Sequence, residues 1–176
     1  MANREALREL QGRLADRLQA VRTQPRARSW LAVEAAGCGF LFPLAQAGEI
    51  FSLPMVLPVP HSQPWFMGVA NLRGGLHGVV DLARFIGVGA AAVASTGRDS
   101  GRVVALNPSL GVNCALYVDA LAGLRSQDQL SLEPAAPGAR PAFVGERLCD
   151  AAGRAWQELD LAALAADEAF IGIVGR

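Results

Sequence analysis

From Pro25 onward, glycine, proline and asparagine interrupt the chain so often that its apolar runs are of strand length, and this punctuation constrains the fold more than any other feature. Short β-branched and aromatic runs bounded by such residues read as strands joined by tight turns. SWLAVEA (29–35) and GFLFPLA (39–45) predict a hairpin, and AGEIFSL (47–53) predicts a third strand. MVLPVPHSQPW (55–65) carries three prolines and is excluded from any central strand. Two further strands, 67–73 and 76–81, flank Gly74-Gly75, a pair suited to a two-residue turn. Asp81 is placed to cap a short helix, LARFI, that Gly87 ends. Residues 87–101 read as a surface connection, 102–106 and 112–118 as a hairpin around NPSLG, and 126–140 as a polar, proline-containing excursion.

The region after Arg140 echoes an earlier one. FMGVANLRGGLHGVVDLARF and FVGERLCDAAGRAWQELDLAALAADEAF each run Phe-x-Gly, strand, small-residue turn, strand, then Asp-Leu-Ala opening a helix. Two related β modules are therefore expected, and short strands with few helices point to small barrels rather than a parallel sheet.

The N-terminal segment has a different texture. Leu7, Leu10, Leu14, Leu18 and Val21 recur at spacings of three and four and stripe one helical face over residues 1–24. Residues 1–28 carry Arg4, Arg8, Arg13, Arg17, Arg22, Arg26 and Arg28 against Glu5, Glu9 and Asp16. Such a helix packs either on its own domain or against a partner. The acidic residues and the lack of aromatics argue against a membrane-surface role. Domain organisation thus reads as an amphipathic helix, 1–24, followed by one β domain, 25–176.

Composition removes several chemistries. Lysine is absent, which excludes a Walker A loop, a Schiff-base lysine and a Ser-x-x-Lys nucleophile. His61 and His77 are the only histidines, and Cys38, Cys114 and Cys149 show no paired spacing, so no metal site is expected. Net charge is zero, which gives no field to draw the chain to nucleic acid. No apolar run is long enough to cross a bilayer, no leader-like segment opens the chain, and a cytoplasmic, non-enzymatic protein without cofactor is expected. A cysteine-dependent hydrolase and a small-ligand-binding barrel remain as readings from other classes.

One stretch resists a purely structural account. GVANLRGGLHGVVDL (68–82) sets an amide, a guanidinium and a glycine pair within an otherwise apolar β segment. With the following ARFIG it resembles the signature of the CheW-like chemotaxis coupling domain. AQAGEIF (45–51) is similar to that family's early strand ending in Glu-Ile, LYVDALAGL (116–124) to its Val-Asp strand end, and ELDLAAL to its closing strand and helix. The resemblance covers roughly residues 29–170 and is nearest to the branch of the family found in systems controlling type IV pilus twitching motility.

The resemblance implies a mainly β fold of two intertwined SH3-like five-stranded barrels, with short helices after the barrel strands. It implies no cofactor and no reaction. Its partners would be a CheA-type histidine kinase, through the kinase's regulatory domain, and the cytoplasmic tip of a methyl-accepting chemoreceptor, in membrane-associated arrays. A flagellar chemosensory system is the alternative setting. Carried over by position, Glu49, Gly68, Asn71, Arg73 and Gly74 are the partner-binding candidates. Ala115 stands where the family usually has Gly, and Gly78 where Pro or Val is common. Two readings of Arg73 stay open: a guanidinium satisfying carbonyls between the barrels, or one facing a partner.

Overall fold

The computed structural model describes residues 28–88, 101–134, 138 and 140–175. The helix expected over 1–24 lies outside the described residues, as does most of the 87–101 connection. Eleven strands are present among the described residues: β1 Ser29–Ala35, β2 Cys38–Pro43, β3 Ala47–Ser52, β4 Phe66–Leu72, β5 Gly75–Asp81, β6 Arg102–Leu106, β7 Cys114–Val118, β8 Ala120–Ser126, β9 Leu130–Leu132, β10 Val144–Asp150 and β11 Ala155–Leu159. Among the same residues, short α-helices follow β5 and β11, α1 Leu82–Ile86 and α2 Leu161–Ala165, and α3 Glu168–Ile171 comes directly after α2.

The strands form two curled sheets, ordered β8-β1-β2-β11-β10-β9 and β3-β6-β7-β5-β4. The second sheet is thus made of strands that lie in sequence between β2 and β8, so the first is assembled from the two ends of the β region. Each sheet contains one parallel pair, β2 with β11 and β5 with β7, where chain segments distant in sequence meet. The remaining ladders are antiparallel and largely local, as tight turns require.

The internal echo in the sequence corresponds to a structural one. In β4 the register slips by one residue between Phe66 and Gly68, and in β10 it slips between Val144 and Arg147. A β-bulge of this kind bends a strand and sharpens its twist, which a barrel this small needs. Both Phe-x-Gly glycines belong to these bulges, and both are crowded. A Cβ on Gly145 would stand 2.9 Å from the Glu158 carboxylate, and one on Gly68 would collide with the Leu57 carbonyl. After each hairpin an aspartate caps a helix in nearly the same conformation, Asp81 at φ −73° and ψ 104°, Asp160 at φ −74° and ψ 104°. Asp81 Oδ1 accepts from the Arg84 N–H; Asp160 Oδ1 accepts from Ala162 and Ala163.

Apolar burial explains why the strands read as continuous hydrophobic runs rather than alternating ones. Ala70, Leu72, Val79, Val103, Ala105, Ala115 and Tyr117 fill the interior of the second barrel. Trp30, Ala32, Leu41, Leu148 and Trp156 fill the first. The opposite faces of the same strands, including Val33, Phe42, Val104, Leu116 and Leu159, join the largest cluster, which both barrels share. β7 is consequently buried along its whole length. Apolar side chains thus occupy the interiors of both barrels.

Aromatic rings close the junction. Trp65 stacks on Phe170 (6.3 Å, 4°) and meets Phe85 edge-on (5.1 Å), while Phe85 also touches Phe143 and Phe170. Phe170 belongs to α3, which follows the first barrel's last strand. The residues after it add to the second barrel's 61–63 segment: Gln63 N–H donates to the Ile173 carbonyl and Gly175 N–H to that of His61.

Three sequence expectations shift. The β4–β5 turn is Arg73-Gly74 rather than Gly74-Gly75, because Gly75 already pairs with Leu72. The polar excursion at 126–140 contains β9, a three-residue strand that adds to β10. β8 was not expected as a separate strand; it runs beside β1 with a bulge at Gly123, a ladder that no local turn announces.

Candidate functional site

β3 and β4 are the outer strands of the second sheet, and all five candidate residues lie on them or on the turn that follows β4. In β3 the register changes between Ala47 and Ile50, so that Gly48 and Glu49 together face Ala105 of β6. Gly48 permits this because a Cβ there would lie 2.8 Å from the carbonyl oxygens of Ala105 and Leu106. The bulge turns Glu49 out of the alternation of β3. On the other outer strand, Gly68 lets Leu57 approach and exchange two backbone bonds with Val69, at 2.8 and 2.9 Å. The segment after β3 therefore returns along β4 and closes the barrel. Across this seam Arg73 Nη2 pairs with Glu49 Oε1 at 2.5 Å.

The turn that carries Arg73 is demanding. Arg73 and Gly74 both have positive φ, 48° and 84°. This is the pattern of a type I′ hairpin turn, which favours Asn and Gly at its central positions because a Cβ is strained there. Asn71 assists from the strand: its Oδ1 accepts from the Gly74 N–H at 2.8 Å. Arg73 does not bridge the barrels. Its side chain is 76% exposed and its guanidinium meets Glu49 of its own barrel. An exposed ion pair contributes about 0–1 kcal/mol, while a non-glycine residue held at positive φ costs about 1–3 kcal/mol. Stability alone would select a different residue at this turn.

The structure adds features the sequence reading did not single out. Ile50, Met55, Leu57 and Leu76 are large apolar side chains left exposed on the elements that carry or flank the Glu49–Arg73 pair. Ile50 and Leu76 were readable as apolar residues beside the motif, but sequence does not tell which strand face stays uncovered. A second polar cluster sits in the first barrel. The buried Glu158 carboxylate accepts two bonds from Arg28 Nη2 (2.8 and 2.9 Å) and one from Trp30 Nε1 (2.8 Å). Arg28 also reaches Glu146 at 2.8 Å. Partial desolvation lowers the Arg28 pKa, but its bonds to Glu146 and Glu158 outweigh this and raise it above the ordinary value. Glu158 reads in sequence as one more strand glutamate; its burial depends on segments far apart in sequence, Arg28, Trp30 and β10, meeting around it.

The titratable side chains near the motif, among the described residues, serve local structure. Burial pushes the Cys114 thiol up to about 12, so it stays protonated and inert. His77 Nδ1 lies 3.0 Å from the Gly75 carbonyl and belongs to its own turn. Among the described residues no group of three or more His, Cys, Asp or Glu side chains could hold a metal ion. In the native protein a maleimide should modify exposed Cys38 first and Cys114 only after unfolding, as read by mass spectrometry of the digested chain. Native labelling of Cys114 at the rate of Cys38 would contradict its burial.

Two small interlocked barrels around a shared apolar core define a double SH3-like barrel domain, with its distinctive polar residues on the seam of one barrel. A CheW-like domain model matches residues 29–169. The chain belongs to the CheW-like domain family. Protein PilI of Pseudomonas aeruginosa is 33% identical over 75 residues, a match spanning 43% of this chain and 42% of PilI, less than half of that relative's length. The crystal structure of scaffolding protein TtCheW from Thermoanaerobacter tengcongensis superposes with a TM-score of 0.61 at 18% identity, covering 76% of this chain and 89% of that one, a likeness of fold.

Proposed function

We propose that this chain is a non-catalytic adaptor that couples a methyl-accepting chemoreceptor to a CheA-type histidine kinase in a system controlling type IV pilus twitching motility. It works in the cytoplasm, recruited to membrane-associated receptor arrays; no helix among the described residues is long and apolar enough to cross a membrane. Membership of the CheW-like family supports the adaptor role, and the similarity to PilI supports the pilus setting. The observation that carries the reading is Arg73. An exposed arginine occupies a strained turn position, is returned only a surface ion pair, and is flanked by exposed Ile50 and Leu76. A charged fork beside apolar side chains suits a protein contact, where arginine and large apolar groups concentrate binding energy. Glu49 presents the fork, Asn71 and Gly74 fix the turn, and Gly68 closes the seam beneath it. The kinase's regulatory domain and the receptor tip are the two partners.

Arg73→Asn separates stability from binding. Asparagine accepts positive φ more readily than arginine, so the melting temperature should hold or rise. Affinity for the kinase's regulatory domain or for the receptor tip should fall by about 1–3 kcal/mol. Lysine should not restore it, because an ammonium cannot reproduce the planar fork. In cells, the same variant should lose twitching and keep swimming. Unchanged affinity for both partners would remove the seam from the account, and a swimming defect with normal twitching would move the adaptor to a flagellar system.

A further inference from the structure

Residues 55–63 run as a strap along the outer edge of the second barrel, between β3 and β4, and little apolar burial holds them there. Val56 packs on the barrel's interior cluster, whereas Met55, Leu57 and Val59 stay exposed. Pro58 and Pro60 have no N–H to donate. Among the described residues, hydrogen bonds fasten the strap to the rest of the protein at two places. One is the Leu57–Val69 exchange that closes the seam. The other is the segment after α3. Gln63 N–H donates to the Ile173 carbonyl at 2.8 Å and Gln63 Nε2 to that of Val174 at 3.1 Å, while Gly175 N–H donates to the His61 carbonyl at 2.7 Å.

We propose that this strap opens and closes as one unit, with residues 173–175 as its latch, so that a segment following the first barrel sets how long the second barrel's seam stays shut. Three observations carry this. The first is stiffness. Pro58-Val59-Pro60 joins the two fastenings with φ fixed at both prolines, and Ser62 Oγ braces the run by donating to the Val59 carbonyl at 2.8 Å. Movement at one fastening is therefore passed to the other. The second is strain. His61 holds φ of 56°, which a non-glycine residue keeps where its surroundings impose it, and the Gly175 bond to its carbonyl supplies that restraint. The third is unequal grip. The latch continues from Phe170, buried in the core that both barrels share, while the strap is mostly exposed. Elements with few buried apolar contacts and solvent-facing hydrogen bonds are the ones that open locally, below the cost of global unfolding. Opening parts Leu57 from Val69 and leaves β4 with a bare edge beside Glu49 and Arg73.

The test is residue-resolved amide hydrogen exchange on the full chain with no partner present, so its outcome is independent of the adaptor reading. In the wild type, Leu57, Gln63, Val69 and Gly175 should share one protection factor, well below that of β6 and β7. Two variants loosen the latch. Gly175→Val sets a Cβ 3.0 Å from the Ser62 carbonyl oxygen and 3.2 Å from that of His61, and Gln63→Ala removes only the side-chain bond to Val174. Protection at Leu57 and Val69 should fall about tenfold in the first and about threefold in the second, although neither substitution touches that pair. Protection in β6 and β7 should not change. Loss confined to Gln63 and Gly175 would overturn the proposal, because the two fastenings would then open separately. So would an equal loss in β6 and β7, which makes the strap part of global unfolding, or protection at Leu57 and Val69 that both variants leave intact.

Discussion

Replacing Gly68 with alanine is expected to destabilise the protein by about 2–5 kcal/mol, although it adds a single methyl group, because the position is buried. The new Cβ would meet the Leu57 carbonyl, with Pro58 Cα only 2.9 Å away, and both are backbone that cannot rotate aside. Relief requires Leu57 to retreat and give up its two bonds with Val69, each worth about 0.5–1.5 kcal/mol. Gly68 also has φ of 135°, where a side chain adds about 1–3 kcal/mol of strain. Gly74→Ala is the internal comparison: its φ is 84°, but nothing lies within 4 Å of the added carbon, so only about 1 kcal/mol should be lost. Urea midpoints with unchanged slopes measure both. Equal losses at the two glycines would mean that the Leu57 contact does not close the barrel.

Phe170→Ala should cost about 3–5 kcal/mol, the range for emptying a buried phenylalanine site. The ring is 3% exposed and lies against Trp65 and Phe85, with ring centroids at 6.3 and 5.2 Å. It comes from the helix that follows the first barrel, whereas Trp65 and Phe85 belong to the second. The loss should therefore appear in one cooperative transition, because the shared cluster couples the barrels. Two separate transitions in the variant would show barrels that fold as independent units. A loss under 1 kcal/mol would show that the junction relaxes around the missing ring.

Most elements were legible because their signals are local. The β1–β2 hairpin, the Asp81 cap, the Gly87 stop and the turn around NPSLG each depend on a few neighbouring residues whose backbone preferences agree. The turn at Arg73-Gly74 was misplaced by one position because two adjacent glycines, Gly74 and Gly75, both suit positive φ. Pairing of Leu72 with Gly75 then decides the register. β8 and β9 escaped notice for a different reason. Their residues are mostly exposed, with Leu124 at 60% and Leu132 at 66%, so no inward-facing alternation marks them. They are strands because β1 and β10 offer free edges to pair with.

The candidate residues were found by a resemblance resting on the NLRG run, but what they do to one another was not in the sequence. Glu49 and Arg73 belong to separate elements, and nothing in either segment says that they meet. They meet because a bulge turns one strand outward and the barrel closes between that strand and β4. The same holds for Glu158, whose carboxylate meets Arg28, Trp30 and β10, brought together from both ends of the β region.

The sequence by itself determined most of the hairpins, the Asp81 cap and Gly87 stop of α1, and which residue types the chain contains. Those properties follow from φ preferences, hydrogen-bonding side chains and residue inventory over a few positions. Only the tertiary structure decided that β3–β7 form a barrel inserted between the two halves of the other, and that the strands bury both faces. It alone decided that Arg73 stays exposed in a strained turn with Glu49 as its partner. Such outcomes depend on which distant segments pair, and that choice is made by the total apolar surface two barrels can bury together, a quantity no local stretch contains.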